Sequence, residues 1–426
     1  MKVLLISANT EMINMPVLPL GLACIARATQ EAGHKIALIN LMAHDDIFKA
    51  LNDSIKSFQP DIIGISVRNI DDQNIKSPKF LLEPVKSIIS FCRELIKVPI
   101  VLGGAGYSIF PQAALEYTGA DIGIQGEGEK SFVILLEKIQ SKKDFSDIPA
   151  LYLPEKGLQG TRYFNLKIDE YNLPLPGIHL DTLPNFNNVP IWLPFQTRRG
   201  CPMNCSYCST GVIEGRILRK RNPNDVINVL SKYKESGFSN FFFVDNIFNF
   251  PYSYAKSICD GIISKKLDIS WRCIIYPWKL DESLVEKMAA SGCKEVSLGF
   301  ESGSLKILKN MNKKYTPEDV RKISNILKKY NIKRMGFLLI GGPGEDYETV
   351  TESLNYGDSL DLEAMKVTVG LRIYPYTQLA FHAINEGCID KDDDLLFPKF
   401  YVQQNLKSWI QDTVNEWVLL RKNWMS

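Results

Sequence analysis

The chain has 426 residues, 45% of them hydrophobic, and its 50 basic and 48 acidic residues give a formal net charge of +2. This length exceeds what one hydrophobic core usually serves, so we expect two domains. The near balance of charge offers no basic surface for nucleic acid or an anionic membrane. No apolar run approaches the ~20 residues of a membrane span, and no signal peptide is predicted. We therefore expect a cytoplasmic protein without a nucleic-acid partner.

Residues 1–142 alternate short β-branched runs with amphipathic stretches, a pattern typical of βαβ units. The pattern predicts five strands, at Val3–Ser7, Ile36–Leu41, Asp61–Val67, Ile100–Gly103 and Asp121–Gln125. Joined by right-handed crossovers, such strands form an open parallel sheet of the Rossmann-like or flavodoxin-like kind, which binds ligands at the carboxyl ends of its strands. The predicted fold class is therefore α/β.

The loops at those strand ends contain candidate binding residues. Arg68 and Asn69 follow the third strand, and the fourth and fifth are followed by glycine-containing turns, with Gly103, Gly104, Gly106, Gly126 and Glu127. Glycine lets a ligand approach the backbone closely, and N–H groups at helix starts can hold phosphate. Tight turns between strand and helix also need glycine for their geometry, so both interpretations stay open.

Prolines break the regular pattern over residues 143–193, which predicts an interdomain connector. Alternation resumes over residues 194–390 and predicts a partial (β/α)6 barrel, with strands at Phe195–Arg199, Asn240–Asp245, Ser270–Ile275, Glu295–Phe300, Arg334–Ile340 and Met365–Ile373. Loops at the carboxyl ends of barrel strands carry function. Residues 391–426 form an aromatic-rich segment for which we predict a helix, acting either in packing or as a lid.

Cys201, Cys205 and Cys208 follow the first predicted barrel strand closely. Cysteine thiolates select iron–sulfur clusters, zinc or copper(I). A structural zinc site needs four ligands, and the chain has no second close pair of cysteines or histidines. Disulfides are disfavoured because the nine cysteines are odd in number and scattered. Three thiolates predict a four-iron cluster with one iron left free for a small molecule.

The spacing Cys-x3-Cys-x-aromatic-Cys, with Tyr207 in the aromatic position, resembles the signature of the radical S-adenosylmethionine (SAM) family. In that family the free iron binds SAM. Further residues at the ends of the predicted barrel strands resemble the SAM-contacting positions of relatives: Asp245, Glu301, Ser302 and Arg372. The N-terminal glycine loops, taken together with Pro19-x-Gly21, resemble the cobalamin-binding domain that many radical SAM enzymes carry.

One departure concerns the cobalt ligand. Many cobalamin proteins carry Asp-x-His-x-x-Gly, whose histidine binds cobalt, whereas the loop from Ala8 to Pro19 contains no histidine. The resemblance therefore implies cobalt without a histidine ligand. Arg68, with Asn69 beside it, is the candidate for the lower face of the corrin, and a solvated loop arginine is the alternative.

The resemblance covers nearly the whole chain and implies a cobalamin-dependent radical SAM enzyme, similar to the class B methyltransferases. The implied cofactors are a [4Fe-4S] cluster, SAM and cobalamin. In the implied reaction, a 5′-deoxyadenosyl radical abstracts a hydrogen atom and a methyl group moves from SAM through methylcobalamin to an unactivated carbon or phosphorus. The substrate would be a small molecule, a natural product or a lipid, and a flavodoxin or ferredoxin would donate electrons. A cobalamin-dependent cyclase or rearrangement enzyme, and a non-catalytic iron–sulfur redox protein, remain alternatives.

Overall fold

A computed structural model describes residues 1–11, 18–162, 164–165, 167–180 and 191–426. The first sheet has seven strands: β1 (Lys2–Ser7), β2 (Lys35–Asn40), β3 (Ile62–Ser66), β4 (Ile100–Gly103), β5 (Ile122–Ile124), β6 (Leu151–Leu153) and β7 (Gly157–Gln159). Their order is β2-β1-β3-β4-β5-β6-β7. The first five strands are parallel, in the flavodoxin-like order, while β6 and β7 add an antiparallel hairpin.

Helices cover the first sheet and follow its strands in the expected alternation. They are α1 (Leu20–Glu31), α2 (Ile47–Phe58), α3 (Leu82–Leu95), α4 (Ala105–Ile109), α5 (Pro111–Thr118), α6 (Gly128–Ser141) and, in the connector, α7 (Pro176–Leu180). Local chemistry fixes their starts. The Asp46 side chain accepts from the backbone of Lys49 and caps α2, and Pro111 occupies the first turn of α5.

The second domain is built on a parallel sheet of six strands, which matches the predicted partial barrel. These are β8 (Leu193–Phe195), β11 (Asn240–Phe243), β12 (Ser270–Ile275), β13 (Cys293–Glu301), β14 (Lys333–Ile340) and β15 (Ala364–Val369), extended at the far edge by β18 (Trp424–Met425). Two small ladders pair β9 (Arg198–Arg199) with β10 (Arg219–Lys220), and β16 (Leu371–Arg372) with β17 (Phe400–Tyr401). The predicted first strand is thus divided into β8 and β9.

The helices of the second domain are α8 (Thr210–Ile213), α9 (Pro223–Glu235), α10 (Tyr252–Ser264), α11 (Glu282–Ala290), α12 (Leu305–Asn310), α13 (Pro317–Lys329), α14 (Tyr347–Ser359), α15 (Gln378–Asn385) and α16 (Ile410–Leu419). Short 3₁₀ turns span Leu41–Ala43, Ile168–Glu170 and Gln404–Leu406. Thr316 and Asp319 form a reciprocal capping box at the start of α13. Among the described helices, none combines the length and the apolar composition that a membrane span requires.

Apolar packing joins the two domains. One buried cluster contains Leu4 and Ile6 of β1 together with Ile307, Leu371 and Ile373 from the second domain. At the C-terminus, α16 buries Ile410 and Val414, and the ring of Trp424 lies against Gly357 of α14. The C-terminal segment therefore packs on the barrel, and it contains strands β17 and β18 besides the expected helix. The predicted domain boundaries stay predictions.

Candidate functional site

The three cysteines of the motif lie on one loop between β9 and α8. Gly200 begins this loop with a φ of +85°, and a Cβ atom there would lie 2.2 Å from the carbonyl oxygen of Ile217. Only glycine fits such a conformation at this close approach. The N–H group of Cys201 donates to the carbonyl of Gly215 at 3.1 Å. The loop is therefore anchored at its start, and its three thiols are half-buried.

The donor set suits a cluster with one open iron. Among the described residues, no three His, Cys, Asp or Glu side chains are gathered closely enough to hold a single metal ion. A four-iron cluster makes a different demand, because each thiolate binds a different iron. Burial raises the pKa of the Cys201 thiol to about 11, so binding iron there displaces a proton. Three soft donors on one anchored loop fit such a cluster.

A buried cation lies beside this loop. The Lys313 ammonium group donates to the Tyr207 hydroxyl at 3.0 Å and pairs with a carboxylate oxygen of Glu301 at 3.2 Å. Only 4% of the Lys313 side chain is exposed. Burial raises the pKa of the Cys205 thiol, and the neighbouring Lys313 partly offsets this effect. Sequence reasoning missed Lys313, since adjacent Lys313 and Lys314 look alike and only the fold buries one of them.

Glu301 and Ser302 lie together at the end of β13. Glu301 has a left-handed φ of +62°, where the register between β13 and β14 shifts, so its carboxylate turns toward Lys313. The hydroxyl of Ser302 is fully buried; it lies 2.8 Å from that of Ser353 and accepts from the N–H of Ser304 at 3.1 Å. Glu301 thus reaches the cysteine loop through Lys313, whereas Ser302 is hydrogen-bonded to Ser353 and Ser304. Their predicted contacts with SAM stay predictions.

Asp245 and Arg372 are held by the protein itself. Asp245 is fully buried, and its oxygens accept from the N–H and hydroxyl of Thr197 and from the N–H of Arg198 at 2.6 to 3.0 Å. Burial raises the pKa of Asp245, against the attraction of Arg198. Arg372 forms a buried ion pair with Asp71 at 2.8 Å. Asp245 therefore fixes the strand before the cysteine loop, and Arg372 joins the two domains; their predicted contacts with SAM stay untested.

The turns around Gly104, Gly106 and Gly126, after β4 and β5, form a glycine cradle in which backbone atoms make the closest contacts. Gly104 has a φ of +103°, and a Cβ atom there would lie 2.4 Å from the carbonyl oxygen of Val67. A Cβ atom on Gly106 would lie 3.0 Å from the carbonyl group of Arg68. Gly126 also has a positive φ, of +73°. The loops after β3 and β4 therefore approach each other through backbone atoms, and a side chain at Gly104 would prevent this approach.

A cavity of about 360 Å³ lies at the carboxyl edge of the first sheet. Its walls contain Gly103, Gly126 and Glu127 from the first domain, and Arg199 and Glu214 from either side of the cysteine loop. The remaining wall is mostly apolar. This cavity thus borders both the glycine loops and the segments that flank the cysteines.

Arg68 stands between this cavity and a second, more polar one of about 580 Å³. One terminal nitrogen of its guanidinium group is buried and finds no hydrogen-bond partner in the described part of the chain. Burial lowers the pKa of Arg68. Asn69 and Thr368 line the second cavity beside it. Arg68 is therefore not a fully solvated loop residue, although its predicted place below the corrin is untested; residues 12–17 of the histidine-free loop lie outside the described residues.

Buried ion pairs connect the cysteine loop to the glycine turn after β5. Arg199 donates to Glu129 at 2.6 Å, and Arg219 forms a close pair with Glu127. Asn165 of the connector joins them, because its N–H donates to Glu127 at 3.0 Å and its carbonyl accepts from Arg219 at 2.8 Å. Burial raises the pKa of Glu127, against the attraction of both arginines. Glu127, a predicted cofactor contact, thus carries an interdomain contact that the sequence did not reveal.

Comparison with protein-family models matches residues 6–136 to the B12 binding domain and residues 196–357 to the Radical SAM superfamily. The chain belongs to the B12-binding radical SAM family. The match confirms the predicted radical SAM enzyme and the α/β fold of both parts. The first matched range contains both glycine loops, and the second contains the whole cysteine loop.

Curated relatives align with most or all of this chain. The chain is 28% identical to an uncharacterized methyltransferase of Pyrococcus horikoshii, with 100% of this chain and 92% of the relative covered. It is 22% identical to the tryptophan 2-C-methyltransferase of Streptomyces laurentii, over 89% and 74% of the two chains. The solved radical SAM methyltransferase TsrM of Kitasatospora setae, with cobalamin and a [4Fe-4S] cluster bound, superimposes with a TM-score of 0.87 at 21% identity, over 100% and 92% of the chains. This last likeness establishes the shared fold.

Proposed function

We propose that this chain is a cobalamin-dependent radical SAM methyltransferase that moves a methyl group from SAM to an unactivated carbon or phosphorus atom of a small molecule. The observation that carries this proposal is the cavity bordered by the glycine loops and by both flanks of the cysteine loop. A protein that only stored or relayed electrons would need no such shared space. The methyltransferase names of full-length relatives support the reaction class.

In this proposal, the cysteine loop and the glycine cradle each hold a different cofactor. Cys201, Cys205 and Cys208 would hold the cluster, and the cradle around Gly104 and Gly126 would receive cobalamin. When bound, the cluster supplies the electron that cleaves SAM and cobalamin supplies the transferred methyl group. The apolar wall of the cavity excludes water, so that a reactive species meets the substrate rather than solvent.

Glu301 is the best placed of the four proposed SAM contacts. One of its carboxylate oxygens lies 3.2 Å from the ammonium group of Lys313, which contacts the cysteine loop at Tyr207. Glu301 also uses one carboxylate oxygen, in the pair with Lys313, but 15% of its side chain is exposed. The side chains of Asp245 and Arg372 are only 0% and 2% exposed, and Ser302 is fully buried. We therefore expect Glu301→Gln to weaken SAM binding more than Ser302→Ala, as measured by equilibrium dialysis with labelled SAM.

The test of the proposed function is the ratio of co-products. The reconstituted protein is incubated anaerobically with methyl-labelled SAM, a reductant and cell extract that contains the substrate. We expect S-adenosylhomocysteine and 5′-deoxyadenosine in comparable amounts and label in one product, all absent with Cys205→Ala. Deoxyadenosine without transferred label would instead identify a cyclase or rearrangement enzyme, and the absence of both co-products would favour a redox protein.

The proposal includes a low-potential electron donor such as flavodoxin or ferredoxin and a place in the cytoplasm. The support is chemical: thiol ligands that are half-buried need a reducing compartment to stay free for iron. We expect reduced flavodoxin to replace a chemical reductant in SAM cleavage. No deoxyadenosine with either flavodoxin or ferredoxin would contradict this part.

A further inference from the structure

Three successive residues after α12, Met311, Asn312 and Lys313, form hydrogen bonds with the cysteine loop. The carbonyl of Met311 accepts from the N–H of Ser206 at 3.1 Å. The side chain of Asn312 donates to the carbonyl of Asn204 at 2.5 Å. Lys313 then reaches the Tyr207 hydroxyl at 3.0 Å. The contacted residues, Asn204, Ser206 and Tyr207, lie on both sides of Cys205, so this segment sets the position of the loop around that cysteine.

Burial of the charged Lys313 side chain is unfavourable in itself, because the ammonium group loses its hydration. Its ammonium group is paired with one carboxylate, that of Glu301, and is surrounded by the rings of Tyr207, Tyr276 and Tyr315 at 5.1 to 6.0 Å. Removing a lysine from water carries a large desolvation penalty unless good partners replace the solvent. The next residue, Lys314, is exposed at no such cost. Burial of this particular lysine against a cluster ligand therefore calls for a function.

We propose that Lys313 is a positioning residue of the cluster, which fixes Tyr207 and Glu301 beside Cys205 and makes the cluster easier to reduce. The inference rests on the proposed function only in that the three cysteines must hold a cluster. Reduction adds one negative charge to the cluster, and a fixed positive charge nearby stabilises the reduced form. The effect is larger in a dry interior than in water.

The two members of the ion pair carry opposite charges, so the inference predicts opposite shifts of the cluster potential for their variants. Lys313→Met removes the positive charge and leaves Glu301 unpaired, so we expect a shift of the cluster potential to more negative values. Glu301→Gln removes the negative charge but keeps a hydrogen-bonding side chain, so we expect a shift to more positive values. Lys313→Arg keeps the positive charge, so we expect the cluster potential of this variant to stay close to that of the wild type. Lys314→Met, one residue away and exposed, is the matched control.

The experiment is a redox titration of the anaerobically reconstituted full-length protein without SAM, followed by electron paramagnetic resonance. Iron and sulfide are counted first in every variant. Opposite shifts for Lys313→Met and Glu301→Gln, with no shift for Lys314→Met, support the inference. If Lys313→Met does not fold, Lys313→Gln takes its place: it keeps a hydrogen-bonding side chain without the charge and should also shift the potential to more negative values.

Two results separate this inference from the proposed function. A wild-type protein that binds no iron overturns both. A wild-type protein that holds about four irons, while Lys313→Met or Glu301→Gln titrates at the wild-type potential, overturns only the role of Lys313. A shift of both variants in the same direction also overturns it, since the two ends of the ion pair carry opposite charges.

Discussion

The ion pair between Arg199 and Glu129 offers the sharpest test of how the two domains are held together. Arg199 lies two residues before Cys201, and Glu129 lies in the first turn of α6 in the B12-binding domain. The side chains are 9% and 4% exposed, and their closest atoms are 2.6 Å apart. Burial alone would raise the pKa of Glu129, yet Arg199 brings it below its usual value. The Arg199 guanidinium group therefore stabilises the charged form of the Glu129 carboxylate.

Arg199→Met should leave this carboxylate buried without its partner. Removing one member of a buried ion pair costs about 3–5 kcal/mol, because the remaining charge keeps its desolvation penalty. Glu127 is affected less, since its close pair is with Arg219 and its distance to Arg199 is 3.9 Å. We therefore expect the free energy of unfolding to fall by about 3–5 kcal/mol, measured by urea titration with far-ultraviolet circular dichroism.

Two further variants make the measurement decisive. Lys328→Met breaks an ion pair with Asp361 of similar length, 2.7 Å, whose side chains are 57% and 80% exposed, and should cost less than about 1 kcal/mol. The double variant Arg199→Met, Glu129→Leu removes both buried charges and should recover most of the loss. A loss for Arg199→Met no larger than that for Lys328→Met would refute the reasoning, as would a double variant no more stable than the single one.

Three further outcomes are expected. The triple variant Cys201→Ala, Cys205→Ala, Cys208→Ala should lose the ~4 irons of a four-iron cluster in iron and sulfide assays after reconstitution; retention of these irons would contradict the assigned ligands. Gly104→Ala should destabilise the protein by about 1–3 kcal/mol and reduce the corrinoid absorption retained after purification, because its Cβ would lie 2.4 Å from a carbonyl oxygen. Burial raises the pKa of Glu345 to about 7, so the folded state binds an extra proton and stability should fall by about 3 kcal/mol as the pH rises from 4.5 to 7; Glu345→Gln should abolish this slope in urea titrations across that range.

Local patterns in the sequence predicted the architecture well. The alternation of strand and helix patterns gave the five-stranded parallel sheet and the six barrel strands, since each pattern reports the burial of its own element. The hairpin β6–β7 was missed: each strand has three residues, such as Leu151–Leu153, too few to show a period. The division of the first barrel strand was missed because Gln196 and Thr197 interrupt pairing without any change in the local pattern.

The same limit applies to the site. Cysteines spaced within eight residues report their shared chemistry directly, because the loop that carries them is local. Contacts between distant segments leave no such mark. Lys313 meets Tyr207 across 106 positions, and Arg199 meets Glu129 across 70. Asp245 shows the reverse case: its place at a strand end was predicted, but the use of its oxygens by Thr197 depends on the folded chain.

The hairpin β6–β7 affects how this protein can be divided. The match to the B12 binding domain ends at residue 136, but the first sheet continues to Gln159, and Asn165 then closes against Glu127. A protein fragment that ended at residue 142 would expose the edge of β5 and leave its N–H and C=O groups unpaired. Such an exposed edge strand promotes aggregation. Chimeras that exchange the N-terminal domain between family members should therefore be joined after residue 165, where the transplanted sheet is already complete.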